Sequence, residues 1–290
     1  MKRRIGRLLK QGAGLASVAL HRALGPRSGR ESGILVYHRV VDAPPGVPPP
    51  PFSVSPARLE AQVVGLRERG WRFVSLAEMR ADRGRTPGRV AVTFDDIYGS
   101  VAVHAAPVLR RLGVPWTAFV ATAFVGDDAP MPPDAWAHAH ADVVDPLAYR
   151  PITPQELHAL AADPIVEIGA HTHTHEDFSG RPEAFQADLQ TNLDVLRETV
   201  GVERPPFAFP FGRTAHGLAG GALTEAALAL GVDGTFTTDG DPVPPGTDPV
   251  DWPRINVHAW DTPATLDAKL GGRHAWTLRL SERLSRRAIE

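Results

Sequence analysis

From residue 33 onward, short apolar runs alternate with helix-like stretches, and this alternation constrains the fold more than any other feature of the chain. Strand-like segments fall at 34–37, 71–76, 89–94, 116–121, 166–169, 206–210, 234–238 and 254–257. Helix signals lie between them. Ser55-Pro56 opens a stretch that closes at Gly70, with Ser as cap and Pro at the first helical position. Residues 101–112 read as a helix stopped by Gly113. Thr153-Pro154-Gln155-Glu156 is a capping box. Phe185, Leu189, Leu193, Leu196 and Val200 space out one face of a long helix ending at Gly201, and Thr262-Pro263 opens a last helix that runs to Gly271. Such alternation implies a parallel sheet with right-handed crossovers. Six or more repeats fit an α/β barrel better than a three-layer sandwich, and 290 residues accommodate one such domain. Two proline-rich runs, 44–51 and 242–249, read as loops. Residues 124–149 lack periodicity and read as an insertion or long loop, with Trp136 as a buried anchor or a sugar-stacking ring.

A formal net charge of -2 argues against a polyanion-binding protein, and no stacking platform for nucleic acid is evident. With no cysteine, disulfides and thiolate chemistry are excluded. No apolar run approaches the roughly 18–20 residues that span a bilayer. Lys2, Arg3, Arg4, Arg7 and Lys10 precede a mildly apolar stretch without a convincing cleavage site. This segment reads either as an amphipathic helix on an anionic membrane surface or as a terminal helix or basic tail of the body. The expected organisation is therefore a basic segment at 1–30, a barrel domain at 31–272, and a basic helix or tail at 273–290. A cytoplasmic or peripheral-membrane location is expected; the oligomeric state is open.

Two polar clusters follow predicted strands, where barrels of this kind carry their chemistry. Asp95 and Asp96 end the 89–94 strand. Side chains alternate along a strand, so one carboxylate can bind a metal while its neighbour stays free as a base; a helix N-cap is the alternative. His171, His173 and His175 follow the 166–169 strand. Three histidines in five residues point to a metal, the alternative being a surface histidine run. His171 and His175, four apart, reach one ion from a helical or turn conformation, with His173 directed elsewhere. One Asp and two His would leave coordination positions open, as catalytic sites do. A divalent ion so held acidifies its water and polarises a carbonyl, which amide hydrolysis needs.

Thr93-Phe94-Asp95-Asp96 followed by His171-x-x-x-His175 resembles the polysaccharide deacetylase family, the NodB-like carbohydrate esterases. The segment Ile34-Leu35-Val36-Tyr37-His38-Arg39-Val40 is similar to the opening strand of the subgroup acting on poly-N-acetylglucosamine. Glu167-Ile168-Gly169-Ala170-His171-Thr172, Phe207-Ala208-Phe209-Pro210-Phe211-Gly212 and Pro253-Arg254-Ile255-Asn256-Val257 resemble further family motifs in the expected order. The resemblance spans roughly 33–271 and implies an incomplete or distorted (β/α) barrel of the polysaccharide deacetylase type. It implies Asp95 as the catalytic base, and Asp96, His171 and His175 as ligands of a divalent metal, zinc foremost, with cobalt or nickel as alternatives. It also implies the Phe211 N–H as an oxyanion donor.

The chain departs from the family pattern in three places. Ile97 stands where the family usually has Gly after the two aspartates, a position that often needs a conformation β-branched residues dislike. Ala208 stands near the place of an Arg that orients the base, and Arg254 is, by its position alone, a candidate substitute from another strand. The late histidine motif that supplies the general acid is not visible; His258 and His38 are the candidates, each with a structural or solvated role as alternative. The implied activity is removal of N-acetyl groups from amino sugars of a polysaccharide or glycoconjugate. The rivals are deformylation or deacylation of a lipid-linked amino sugar, and a barrel that binds glycan without turnover.

Overall fold

The computed structural model describes residues 18–19, 31–42 and 45–273, so the two basic terminal segments and their membrane role lie outside the described residues. Ten strands and eight α-helices follow in chain order among these residues. They are β1 (Gly33–Tyr37), β2 (Arg39–Val40), β3 (Ser53–Val54), α1 (Pro56–Glu68), β4 (Arg72–Phe73), α2 (Leu76–Ala81), β5 (Arg89–Phe94), α3 (Ala106–Leu112), β6 (Trp116–Val120), α4 (Ala135–His140), α5 (Pro154–Ala161), β7 (Val166–Ala170), α6 (Pro182–Val200), β8 (Phe207–Ala208), α7 (Ala222–Ala229), β9 (Thr235–Phe236), β10 (Ile255–Asn256) and α8 (Pro263–Leu270).

The main sheet runs β10-β1-β5-β6-β7-β8-β9, with β4 beside β5, and all its pairings are parallel. The sheet curls on itself. The segment 252–256 meets β9 and the residues after it through the bridge Phe236↔Trp252 and the backbone bonds Trp252 N–H to Thr235, Thr237 N–H to Trp252 and Arg254 N–H to Thr237, and it meets β1 through Leu35↔Ile255 and Val36↔Asn256. No described helix is long and apolar enough to cross a membrane.

Side chains sort by the period of two. Leu35, Tyr37, Val90, Val92, Phe94, Trp116, Ala118 and Val120 face the helices in the larger core cluster. Ile34, Ala91, Phe119, Ala208, Phe236 and Trp252 point the other way and fill the barrel interior with Val74, Leu76 and Met79. Helix ends follow local chemistry. Ser55 caps α1 by accepting from the Arg58 N–H, and Thr153 and Thr262 head capping boxes. Gly113 and Gly201 close α3 and α6 with positive φ.

Three expectations need correction. The strand expected at 71–76 is only Arg72–Phe73, because the Ser75 side chain accepts from the Glu78 N–H and starts α2. The helix expected at 101–112 begins as a wide π turn, Val101–Ala105, before α3. That wider turn accommodates Pro107, which has no N–H to give. The 124–149 stretch is not a bare loop. It holds α4, capped by Asp134, and is tied down by the buried Trp136, whose indole N–H donates to the Pro48 carbonyl at 2.7 Å.

Candidate active site

The C-terminal ends of β1, β5, β7, β8 and β10 lie at one mouth of the barrel, and each is followed by one or two of the candidate residues. The Asp95 N–H donates to the Tyr37 carbonyl at 2.9 Å, extending the β1–β5 ladder by one residue. Asp95 thus keeps the inward direction of Ala91 and Thr93 and points into the mouth. The chain then turns sharply. Asp96 has φ 66° and Ile97 φ 53°, and the Ile97 N–H returns to the Asp95 carbonyl at 2.7 Å. Ile97 therefore adopts the positive-φ conformation that glycine would favour, and its side chain is fully buried in the core. Burial of that apolar side chain offsets the backbone cost.

On β7, Gly169 is demanded by packing: a Cβ there would lie 2.5 Å from the Phe119 ring. The strand ends at Ala170, and 171–175 form a turn rather than a helix, with Thr172 at φ 60° and His175 at φ 54°. His171 Nδ1 lies 2.7 Å from the Ala208 carbonyl, to which it donates, so Nε2 is left to bind a ligand. The Nε2 atoms of His171 and His175 stand 3.4 and 3.1 Å from Asp96 Oδ1. Ligand atoms of Asp96, His171 and His175 all lie within 4.8 Å of one another. Two imidazole nitrogens, one with its far nitrogen locked by a carbonyl, and one carboxylate oxygen form a donor set that fits a divalent ion with open positions. His173 is directed away, its Nδ1 2.9 Å from the Thr122 hydroxyl. Burial opposes ionisation of Asp96, but His175 and His171 outweigh it and hold the carboxyl well below its ordinary value.

Arg254 has no solvent exposure and clasps Asp95 through Nη1–Oδ1 at 2.6 Å and Nη2–Oδ2 at 2.7 Å. The guanidinium is itself fixed by donating to the Thr237 carbonyl and the Thr93 hydroxyl, and it lies 5.0 Å from the Phe119 ring centroid. Burial again opposes ionisation of Asp95, and the charges of Arg254 and His171 overcome it, so the carboxyl sits below its ordinary value.

Phe211 follows β8 at φ 60° and is 45% exposed. Its ring meets the His175 ring edge-on at 4.9 Å, and its carbonyl accepts from the Thr238 hydroxyl, which pins the turn. Among the described residues its N–H has no acceptor. His38, after β1, feels the carboxylates of Asp96 and Asp95, and its Nδ1 is buried without a partner. Burial lowers its pKa more than those charges raise it. His258 occupies a different position. Its ring stacks on Trp260 at 4.5 Å, its N–H donates to Asp261, and the Phe52 ring touches both His258 and His38. His38 is thus coupled electrostatically to the carboxylate pair, and His258, on the other side of the shared Phe52 contact, is coupled to Asp261.

Residues outside the motifs complete the surroundings. Tyr98, two positions after Asp96, is buried. Burial, with the Asp96 charge, raises its pKa, while Arg39 opposes this. Arg39 forms a buried ion pair with Asp134 and lies 4.0 Å over the Tyr98 ring, joining the 124–149 insertion to the site. Asp188 and Asn192 on α6 bond the histidine turn from behind. A fully buried Asn in the apolar stripe of α6 was a readable signal for the second of these.

A sequence model described as polysaccharide deacetylase matches residues 82–231, slightly more than half of the chain. The poly-beta-1,6-N-acetyl-D-glucosamine N-deacetylase of Escherichia coli (strain K12) is 27% identical over 220 residues, which is 65% of this chain and 31% of the relative. The enzyme of that name from Staphylococcus aureus (strain MRSA252) is 31% identical over 173 residues, 56% of this chain and 54% of the relative. The chain therefore spans about a third to a half of these curated relatives. Among solved structures, IcaB from Ammonifex degensii superposes with a TM-score of 0.68 at 25% identity, covering 84% of this chain and 98% of that one. Streptococcus pyogenes deacetylase PplD, solved in complex with acetate, gives a TM-score of 0.64 at 17% identity over 84% and 99% of the two chains, a likeness of fold. Family sequence pattern and barrel architecture agree, and the chain belongs to the polysaccharide deacetylase family.

Proposed function

We propose that this chain is a metal-dependent hydrolase that removes N-acetyl groups from the amino sugars of a poly-N-acetylglucosamine-type polysaccharide. The observation that carries the reading is the placement of a separately clasped carboxylate, Asp95, directly beside the Asp96–His171–His175 donor set. A site that only binds glycan has no use for such a pair. The names of the relatives support the substrate class.

A divalent ion, zinc in this reading, supplies a Lewis acid that polarises the amide carbonyl and acidifies water. Asp96, His171 and His175 would hold it. Asp95 accepts the proton of the attacking water, and Arg254 keeps its carboxylate plane fixed and its charge compensated throughout. The Phe211 N–H donates to the oxyanion of the tetrahedral intermediate. His38 protonates the departing amine. Burial favours its neutral form, so in this role the imidazole takes up a proton, with the nearby carboxylates favouring that, before passing it to the amine.

The test is acetate release from β-1,6-linked N-acetylglucosamine oligomers by zinc-loaded protein, with elemental analysis of bound metal. Release by the wild type, lost in Asp95→Asn while zinc is retained, is the expected result. No zinc in the wild type, or zinc without acetate release, overturns the reading.

A further inference from the structure

The turn that carries His171 and His175 is backbone-disfavoured, since Thr172 and His175 both sit at positive φ with a Cβ to accommodate. Something outside the turn must hold it. Within it, the His175 N–H donates to the Thr172 hydroxyl at 3.2 Å, which restrains only its own two ends.

The rest comes from one face of α6. Asp188 receives the His173 N–H at 2.6 Å, the Thr174 hydroxyl at 2.6 Å, and the Thr174 N–H shared between both oxygens at 3.3 and 3.2 Å. Asn192, one helical turn further along the same face, donates from Nδ2 to the Thr172 carbonyl at 2.7 Å. The same amide reaches the Val120 carbonyl and the Thr122 hydroxyl, and that hydroxyl lies against His173 Nδ1. Thr172, His173 and Thr174, the three residues between the two histidine ligands, are thus all tied to α6 or to the end of β6. Hydrogen bonds to a carboxylate are the stronger kind, and three of them converge on Asp188.

We propose that Asp188 and Asn192 are positioning residues that set the bite of His171 and His175 on the metal. This rests on the metal reading of the preceding section. Neither side chain belongs to the Asp96–His171–His175 donor set; each acts through the turn between the two histidines. Outer partners of metal ligands typically change affinity by about 10–100-fold when removed.

The experiment compares wild type, Asp188→Asn, Thr174→Val and Asp194→Asn. Asp194 lies on the same helix, pairs with Gln190 and Arg197, and does not touch the turn, so it controls for the loss of one negative charge. Zinc affinity is measured by competition with a chromophoric chelator. The visible spectrum of the cobalt-loaded protein reports ligand geometry. Melting of the metal-free proteins reports folding. Asp188→Asn is expected to weaken zinc by about 10–100-fold and to alter the cobalt bands. Thr174→Val, which deletes one bond to the same carboxylate, is expected to weaken zinc by about twofold to tenfold and serves if the Asn variant does not fold. Asp194→Asn is expected to match the wild type. Wild-type zinc affinity in folded Asp188→Asn, or in Thr174→Val where only that variant folds, overturns the proposal. An equal loss in Asp194→Asn does so too. A wild type that takes up no zinc overturns the metal reading itself, and this one with it.

Discussion

Arg254 reaches past β1 to hold both oxygens of Asp95, at 2.6 and 2.7 Å, so the residue paired with the proposed base comes from the last strand of the sheet rather than from β8, where Ala208 stands. Lysine cannot reproduce a two-point clasp. Arg254→Lys is expected to lower kcat on acetylated oligomers by roughly 10–100-fold with KM little changed. Arg254→Met leaves a buried carboxylate without its counter-charge and is expected to cost about 3–5 kcal/mol of stability. Steady-state kinetics and urea unfolding check the two arms.

Ile97 allows a test in which the usual ranking of residues inverts. Truncating this buried side chain to alanine is expected to destabilise by about 2–5 kcal/mol. Glycine removes one more carbon, yet it relieves the positive φ of 53°. Ile97→Gly is therefore expected to be more stable than Ile97→Ala by about 1 kcal/mol, the reverse of the order inside a helix or strand. Paired denaturation curves decide it; an alanine variant at least as stable as the glycine one would contradict the account of this turn.

Metal binding is expected to register as stability. A ligand that binds only the native state at about 100 times its Kd adds roughly 2.7 kcal/mol. Chelator-treated wild type should melt lower than zinc-loaded protein and recover on zinc addition. Asp96→Ala, His171→Ala and His175→Ala should show no such response in differential scanning calorimetry.

Asp261 provides a pH test away from the metal ligands. Burial opposes its ionisation, but Lys269, with Nζ at 2.6 Å, and His258 outweigh this and hold the carboxyl below its ordinary value. A depressed carboxyl contributes stability that is present above its unfolded pKa, about 3.9, and is lost as pH falls through the folded value. Asp261→Asn also leaves the buried Lys269 unpaired and is expected to cost about 3–5 kcal/mol at pH 7. The difference from wild type should begin to shrink below about pH 4, as the unfolded carboxyl protonates, and should vanish only when the pH has fallen through the depressed folded value. Urea unfolding at pH 7 and pH 3 measures it.

What could be read from the sequence divides along physical lines. The strand-helix alternation, the capping boxes at Thr153 and Thr262 and the glycine stops at 113 and 201 are local signals, and they locate elements well. Asp96, His171 and His175 were conspicuous because their residue types and spacing are rare without a shared ligand, and the structure gathers them. Strand ends were overrun because pairing partners, not propensity, decide where a ladder stops. The outcome at 71–76, where Ser75 diverts the chain into α2, is the example. Arg254 was readable only as a position in a late strand; its clasp on Asp95 exists because β10 lies next to β1. Asp188 looked like any helix carboxylate, since its partners are backbone N–H groups 14 and 15 residues away.

The seam that closes the barrel also completes the surroundings of Asp95. The segment 252–256 both closes the sheet against β9 and β1 and delivers Arg254 to Asp95. It lies later in the sequence than Asp96, His171 and His175. A chain that has gathered Asp96, His171 and His175 but lacks this segment has no Arg254 to clasp Asp95. In the proposed mechanism the base is therefore oriented only in a closed barrel, and the closing segment couples completion of the fold to preparation of the site.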